Sequence, residues 1–246
     1  VFTLSDKTEF IAPIRTGNLA PEHGEYQMQP KFMPAAQPWT SPTKIVGPQI
    51  GGAHIAVTYE RGQEIYAQGG SADKCYRVST GAVRVCRILS NGGRQVVSFH
   101  VAGEMFGFEA GSQHRYFAEA LALTRIVAFE QGLAQQRHLP ELLALALEAM
   151  ERAQEHLLLI GRQSAIERVA TFLLDLCERL GGTRQFRLAM SRQDIADYLA
   201  LTIETVSRAM SELKEQSIIS LRHARMVDIR KPDALRSLCG HVAGLS

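Results

Sequence analysis

The hydrophobic period of this chain changes near Pro140, and that change constrains the fold more than any other feature. Upstream, short apolar runs over 55–59, 75–79, 82–89, 95–100, 116–123 and 125–129 are separated by glycine, and 11 of the 20 glycines fall between Gly51 and Gly111. Arg61-Gly62, Gly69-Gly70, Thr80-Gly81 and the run Ser90, Asn91, Gly92, Gly93 are turn signals, because glycine takes positive φ at little cost. Downstream, Leu143, Ala146, Met150, Ala153, Leu157 and Ile160 recur at alternating spacings of three and four, the period of a helix. An all-β unit followed by helices is an α+β chain in which a β-roll comes first.

Pro140 suits the first turn of that long helix, where a missing N–H costs nothing. The six residues from Leu143 to Ile160 form the a/d seam of a two-stranded coiled coil. Leu142, Leu145, Leu147, Leu158 and Leu159 make the same helix apolar on other sides. One stripe is therefore expected to meet the roll and another to meet a second copy of the chain.

Past Gly161, Ile166, Val169, Ala170, Leu173, Leu176, Cys177 and Leu180 give the apolar face of a further helix, which Gly181-Gly182 ends. Two short helices around a turn come next, then two β-type runs over 218–229 joined at Arg222 to Arg225, a winged arrangement. Four segments result: a tail over 1–48, a β-roll over 49–132, a dimerisation helix over 133–161 and a winged helix-turn-helix over 162–246. The tail is assigned because seven of nine prolines fall in it, each removing a backbone donor.

Composition narrows the function classes. Hydrophobic residues at 46% with charged residues at 21% exclude global disorder. The longest clean apolar stretch, 142–147, is far short of the ~20 residues that span a bilayer, so a cytoplasmic protein with no membrane partner is expected. Four scattered cysteines, Cys75, Cys86, Cys177 and Cys239, contain no CxxC pair and suggest neither a disulfide framework nor a zinc finger. The net charge of +2 is uneven: residues 162–246 hold 13 Lys/Arg against 10 Asp/Glu, whereas residues 1–161 hold 14 against 15. The basic half is the one with the winged pattern, which points toward nucleic acid.

The sharpest signal is the stretch SRQDIADYLALTIETVSRAM over 191–210. Ser191 caps a helix of two turns, Ala200 to Thr202 make a turn, and a second helix follows. Ile195, Ala196, Leu199, Leu201, Val206 and Met210 are the faces the two helices would bury against each other. The second helix then presents Glu204, Ser207 and Arg208 together. Arginine can grip guanine O6 and N7, glutamate can accept from cytosine N4, and serine can bond either base type. The competing reading of Glu204 and Arg208 is a surface ion pair, worth ~0.3 to 0.5 kcal/mol. Arg192, Gln193, Thr202, Arg222 and Arg225 are candidates for phosphate contact around the reader.

This block resembles the DNA-binding helices of the CRP/FNR superfamily, and the similarity runs from about Val57 to the end through YRVSTGAVRV, FHVAGEMFGFEAG, GRQSAIERVATFLLDL and IETVSRAM. The superfamily's order is a cyclic-nucleotide-binding-like roll, a dimer helix and a winged helix-turn-helix. The Glu204, Ser207, Arg208 pattern resembles the FNR and FixK reader; CRP-like readers carry arginine where Ile203 stands and glycine where Ser207 stands. The resemblance implies a homodimeric transcription activator in double-stranded DNA, with TTGAT-like half-sites in inverted repeat. It also implies contact between a roll hairpin and RNA polymerase, for which the turn from Ser90 to Arg94 is the match, with Asn91 and Arg94 as its candidates.

Within the resemblance, a nucleotide phosphate pocket needs an Arg-Ser pair where this chain has His114-Arg115, and the FNR iron–sulfur cluster needs cysteines that residues 1–74 lack. No cofactor is expected, and the FixK branch fits. A cyclic-nucleotide-gated or redox-gated regulator of the same fold is the alternative. For the latter, Cys177 is the candidate thiol, set against its reading as a small buried hydrophobe. A cupin-like metalloenzyme built on His100, Glu104, Glu109 and His114 is disfavoured by the absence of an HxH pair. The chain is therefore expected not to be an enzyme.

Overall fold

The computed structural model describes residues 56–90, 92–130, 139–162, 164–222 and 225–239. The proline-rich tail, Asn91 and the first residues of the expected dimerisation helix lie outside the described residues.

Eight strands build the first half: β1 (Ala56–Tyr59), β2 (Glu64–Tyr66), β3 (Lys74–Thr80), β4 (Ala82–Ile88), β5 (Arg94–Val101), β6 (Met105–Phe106), β7 (Phe117–Ala120) and β8 (Thr124–Glu130). They pair antiparallel in two four-stranded sheets, ordered β1-β8-β3-β6 and β2-β7-β4-β5. Side chains alternate across each strand, so Val78 and Ile126 from one sheet meet Val83, Val85 and Ala118 from the other, with Tyr66, Tyr76 and Phe106 filling the space. Between β3 and β4 the chain turns at Gly81, with φ +90°; a Cβ there would lie 2.7 Å from the carbonyl oxygen of Leu123, so the turn excludes any side chain. The two-residue β6 and three-residue β2 are too short to display a period and are not among the expected strands.

By the same alternation the second sheet buries its other face as well, and a register shift between Val85 and Cys86 brings Val96 and Phe99 to that one side. Ala82, Cys86, Val96, Phe99 and Val101 join one apolar core with the helices that follow. The first of these is α1 (Leu139–Arg162), which continues through Gly161. Leu145 packs on the roll and Leu159 is buried, whereas Leu143, Leu147, Met150, Leu157 and Leu158 are all exposed, Leu157 at 65%. At about 100° per residue these five lie within one arc, opposite Leu145 and Leu159. Ile160 has drifted out of that arc and packs against the chain's own core.

The second half comprises α2 (Ala165–Arg179), β9 (Gln185–Arg187), α3 (Arg192–Leu199), α4 (Ile203–Glu215), β10 (Ile219–Arg222), β11 (Met226–Ile229) and α5 (Pro232–Cys239). The three strands form a small antiparallel sheet ordered β10-β11-β9, so the expected two-stranded wing has a third strand. Helix α5, an addition to the expected elements, starts at Pro232 and anchors itself through fully buried Leu235.

Ala200 closes α3 in the left-handed conformation, φ 53° and ψ 47°. An L side chain there is strained, so Ala200→Gly should raise the stability of the chain by about 1 kcal/mol. Urea unfolding midpoints of the two proteins check this; an unchanged or lowered midpoint would show that the turn carries no such strain.

Candidate nucleic-acid interface

The geometry of the interface begins with two helix caps. Ser191 precedes α3, and its hydroxyl accepts from the Asp194 amide at 3.1 Å while the Asp194 carboxylate accepts from the Ser191 amide at 2.8 Å. This capping box satisfies amides that the first helical turn leaves bare. Thr202 precedes α4, and its hydroxyl accepts from the Thr205 amide at 3.2 Å. Between the caps the chain needs only Ala200 and Leu201 to turn, and Arg168 of α2 braces that turn by donating to the Leu199 carbonyl at 3.0 Å.

Burial then decides which way α4 faces. Val206, Ala209, Met210 and Leu213 are buried, so Glu204, Ser207 and Arg208 are turned outward together and all three are exposed. The Glu204 carboxyl sits below the usual carboxylate range, held there by its own helix amide, the Thr202 hydroxyl and the charge of Arg208. It is ionised at neutral pH and can accept. Ion pairs at helical spacing join Asp175 to Arg179 and Asp233 to Arg236, whereas Arg208 acts on Glu204 by its charge alone, which weighs against the surface-pair reading. The Ser207 hydroxyl donates back to the Ile203 carbonyl at 2.8 Å, leaving its oxygen as an acceptor.

The phosphate candidates divide by accessibility. Gln193, Thr202 and Arg222 are exposed, although the Gln193 amide already donates to Asp197 at 2.6 Å. Arg192 is half-buried, and that burial works against its charged form. Arg225 is also half-buried, with a long contact of 3.5 Å to the Ala189 carbonyl.

Sequence reasoning missed the group of charges that holds α3 against the roll. Arg84 of β4 donates to Asp194 and makes a two-pronged contact with Glu119 at 2.8 and 2.9 Å. Arg94 of β5 reaches the same Asp194 at 2.9 Å and Asp197 at 2.8 Å. Burial would raise the Asp194 pKa, but the Ser191 hydroxyl and amide and the two arginines outweigh it and the net shift is downward. Beside this group, Arg179 of α2 grips Glu104 at 2.8 Å, and Tyr198 of α3 packs on Phe99 and stacks on His156 of α1 at 4.1 Å. The one local clue was Asp194 at the third position of the capping box; its arginine partners are about a hundred residues away.

This placement alters the reading of Arg94. The residue opens a strand and its guanidinium is committed to α3, so it is not a free side chain on an exposed turn. Asn91 lies outside the described residues. Cys177 is buried on α2 with its thiol donating to the Thr183 carbonyl at 3.4 Å, and burial pushes its pKa up, away from the reactive thiolate. Burial likewise pushes Cys75 and Cys86 up to about 11. Among the described residues no group of three or more His, Cys, Asp or Glu side chains is placed to hold a metal ion, and no helix is long and apolar enough to cross a membrane.

Comparison with known proteins gives two family matches. Residues 167–238 match the Crp-like helix-turn-helix domain and residues 56–137 the cyclic nucleotide-binding domain. The chain is similar to the nitrogen fixation regulation protein FixK of Rhizobium meliloti, 62% identical over 205 residues, covering 83% of this chain and 97% of that one. Similarity to FixK of Azorhizobium caulinodans is 44% over 191 residues, covering 73% and 77%. The structure of FixK2 from Bradyrhizobium japonicum superimposes with a TM-score of 0.72 at 39% identity, covering 75% of this chain and 96% of that one.

The residues of the roll do not suit a cyclic nucleotide. Where a phosphate would need donors, the Glu109 carboxylate takes up the Arg115 amide at 3.0 Å and lies 3.8 Å from His114. The His114 ring is buried and stacks on Tyr66 at 3.7 Å, so the roll interior is occupied by the chain's own side chains. A buried carboxylate at this point would repel a phosphate.

Proposed function

The chain belongs to the CRP/FNR family of DNA-binding transcription regulators, in its FixK branch, and we propose that it acts as a homodimer reading an inverted repeat of TTGAT-like half-sites. The observation that carries this reading is the common outward face of Glu204, Ser207 and Arg208 on a helix whose opposite face is fully buried. Arg208 grips the half-site guanine, Glu204 accepts from a cytosine amino group, and Ser207 offers a hydroxyl acceptor. Thr202, Arg222 and Gln193, with Arg192 and Arg225 at the margins, set the reader against the phosphates without adding base preference.

Dimerisation through the exposed arc of α1 places two readers on successive turns of one DNA face. Its core is Leu143, Ala146, Met150, Ala153 and Leu157; Ile160, packed on its own chain, ends the seam. Contact with RNA polymerase through the turn between β4 and β5 belongs to the same proposal. Asn91 is its test residue, because replacing Arg94 would also disturb α3.

The test is a binding series across single-base variants of a TTGAT palindrome at fixed salt. Arg208→Ala should cost about 1 to 3 kcal/mol on the intact site and flatten the preference at one base pair. Arg222→Ala should weaken all sequences alike and reduce the salt slope by about one unit. A uniform loss for Arg208→Ala, with base preference intact, would place the reader elsewhere.

A further inference from the structure

Between the roll and the DNA-binding half lies a cleft of about 390 Å³, within the size range of small-molecule sites. Its walls come from both halves: Ala122 and Leu123 from the roll and Leu180, just after α2, form an apolar floor, Leu123 exposed and the other two half-buried. Arg61, Arg187 and Arg225 are the charged side chains of the lining, and no carboxylate is part of it. Arg61 and Arg187 are exposed, so both guanidinium groups are open to a ligand. Three cations over an apolar floor complement one kind of small molecule, an anion with an apolar body. A phosphodiester backbone would satisfy the arginines but leave the leucines uncovered, and an uncharged lipid would do the reverse.

We propose that this cleft binds a small amphipathic carboxylate, its headgroup paired with the arginines and its hydrocarbon laid against Ala122, Leu123 and Leu180. Arginine is suited to the role because its planar fork meets a carboxylate with two parallel hydrogen bonds. A cavity of this size accommodates a small molecule. A ligand so placed touches the roll and, through Arg225, the wing at once.

The experiment uses the full chain without DNA, so its failure is separable from any failure of the base-readout proposal. Calorimetric titration with decanoate, below its micellar concentration, should give saturable binding of one molecule per chain, and decylammonium should give none. The double variant R61Q/R187Q should weaken decanoate at least tenfold. Ala122, half-buried in the cleft lining, offers a second variant: A122W should abolish binding by filling the space, with thermal unfolding as the control for folding. Unsaturable uptake, equal binding of decylammonium, or decanoate binding unaffected by either variant in a folded protein would each overturn the proposal.

Discussion

Replacing Asp194 with alanine should destabilise the chain by about 3 kcal/mol and weaken DNA binding, although Asp194 faces the roll and not the reader's outer surface. Removing one partner of a buried ion pair costs about 3 to 5 kcal/mol when the other charge is left stranded. Here the lower end applies, because Arg84 keeps Glu119 and Arg94 keeps Asp197. Loss of the helix cap adds to the effect in the alanine variant, whereas Asp194→Asn retains an acceptor for the Ser191 amide and isolates the charge.

The pH dependence has a definite sign. The folded pKa of Asp194 is depressed, so its contribution is complete above the unfolded value of about 3.9 and is lost as pH falls through the folded value. The stability gap between the native chain and D194N should therefore be constant near neutrality and close below about pH 4. Urea unfolding between pH 7 and 3 measures it. A gap that persists undiminished at the acid end would mean that the carboxylate does not act through its charge.

The second large effect is expected at Leu157. It is 65% exposed in the isolated chain and sits in the arc with Leu143 and Met150. In the proposed dimer, replacement with glutamate would bring two like charges together across the axis in an apolar seam, and each would be desolvated without a partner. Leu157→Glu should leave the chain folded, since no core contact is lost, but convert it to a monomer at micromolar concentration. Affinity for the palindrome should then fall by orders of magnitude, toward that of a single half-site. Sedimentation velocity and a shift assay read the two consequences separately. A variant that sediments as a dimer would mean that α1 meets its partner through a different face.

Much of this architecture was legible from residue order. The change of period near Pro140 separates the roll from the long helix, and the strand runs 82–89 and 125–129 anticipate β4 and β8 to within a residue or so. The outward face of α4 was equally legible, because helical periodicity alone puts Glu204, Ser207 and Arg208 opposite Val206, Ala209 and Met210. The short strands β2, β6 and β9 were not, since two or three residues cannot display a period and their pairing comes from neighbours. Helix α5 escaped for a similar reason: one buried leucine on eight residues is a weak signal.

What the sequence determined by itself is therefore everything set by local periodicity and capping: the order of elements, the helix-turn-helix, and which side chains its second helix turns outward. What only the tertiary structure decided is where that unit sits. Arg94 reads as a turn residue along the chain, yet it lies against Asp194 and Asp197. Ile160 fits the seam by spacing, yet it falls on the side of α1 that meets the core. The physical reason is common to both. Ion pairing and apolar burial depend on distance in space, and partners about a hundred residues apart leave no trace in the local pattern from which periodicity is read.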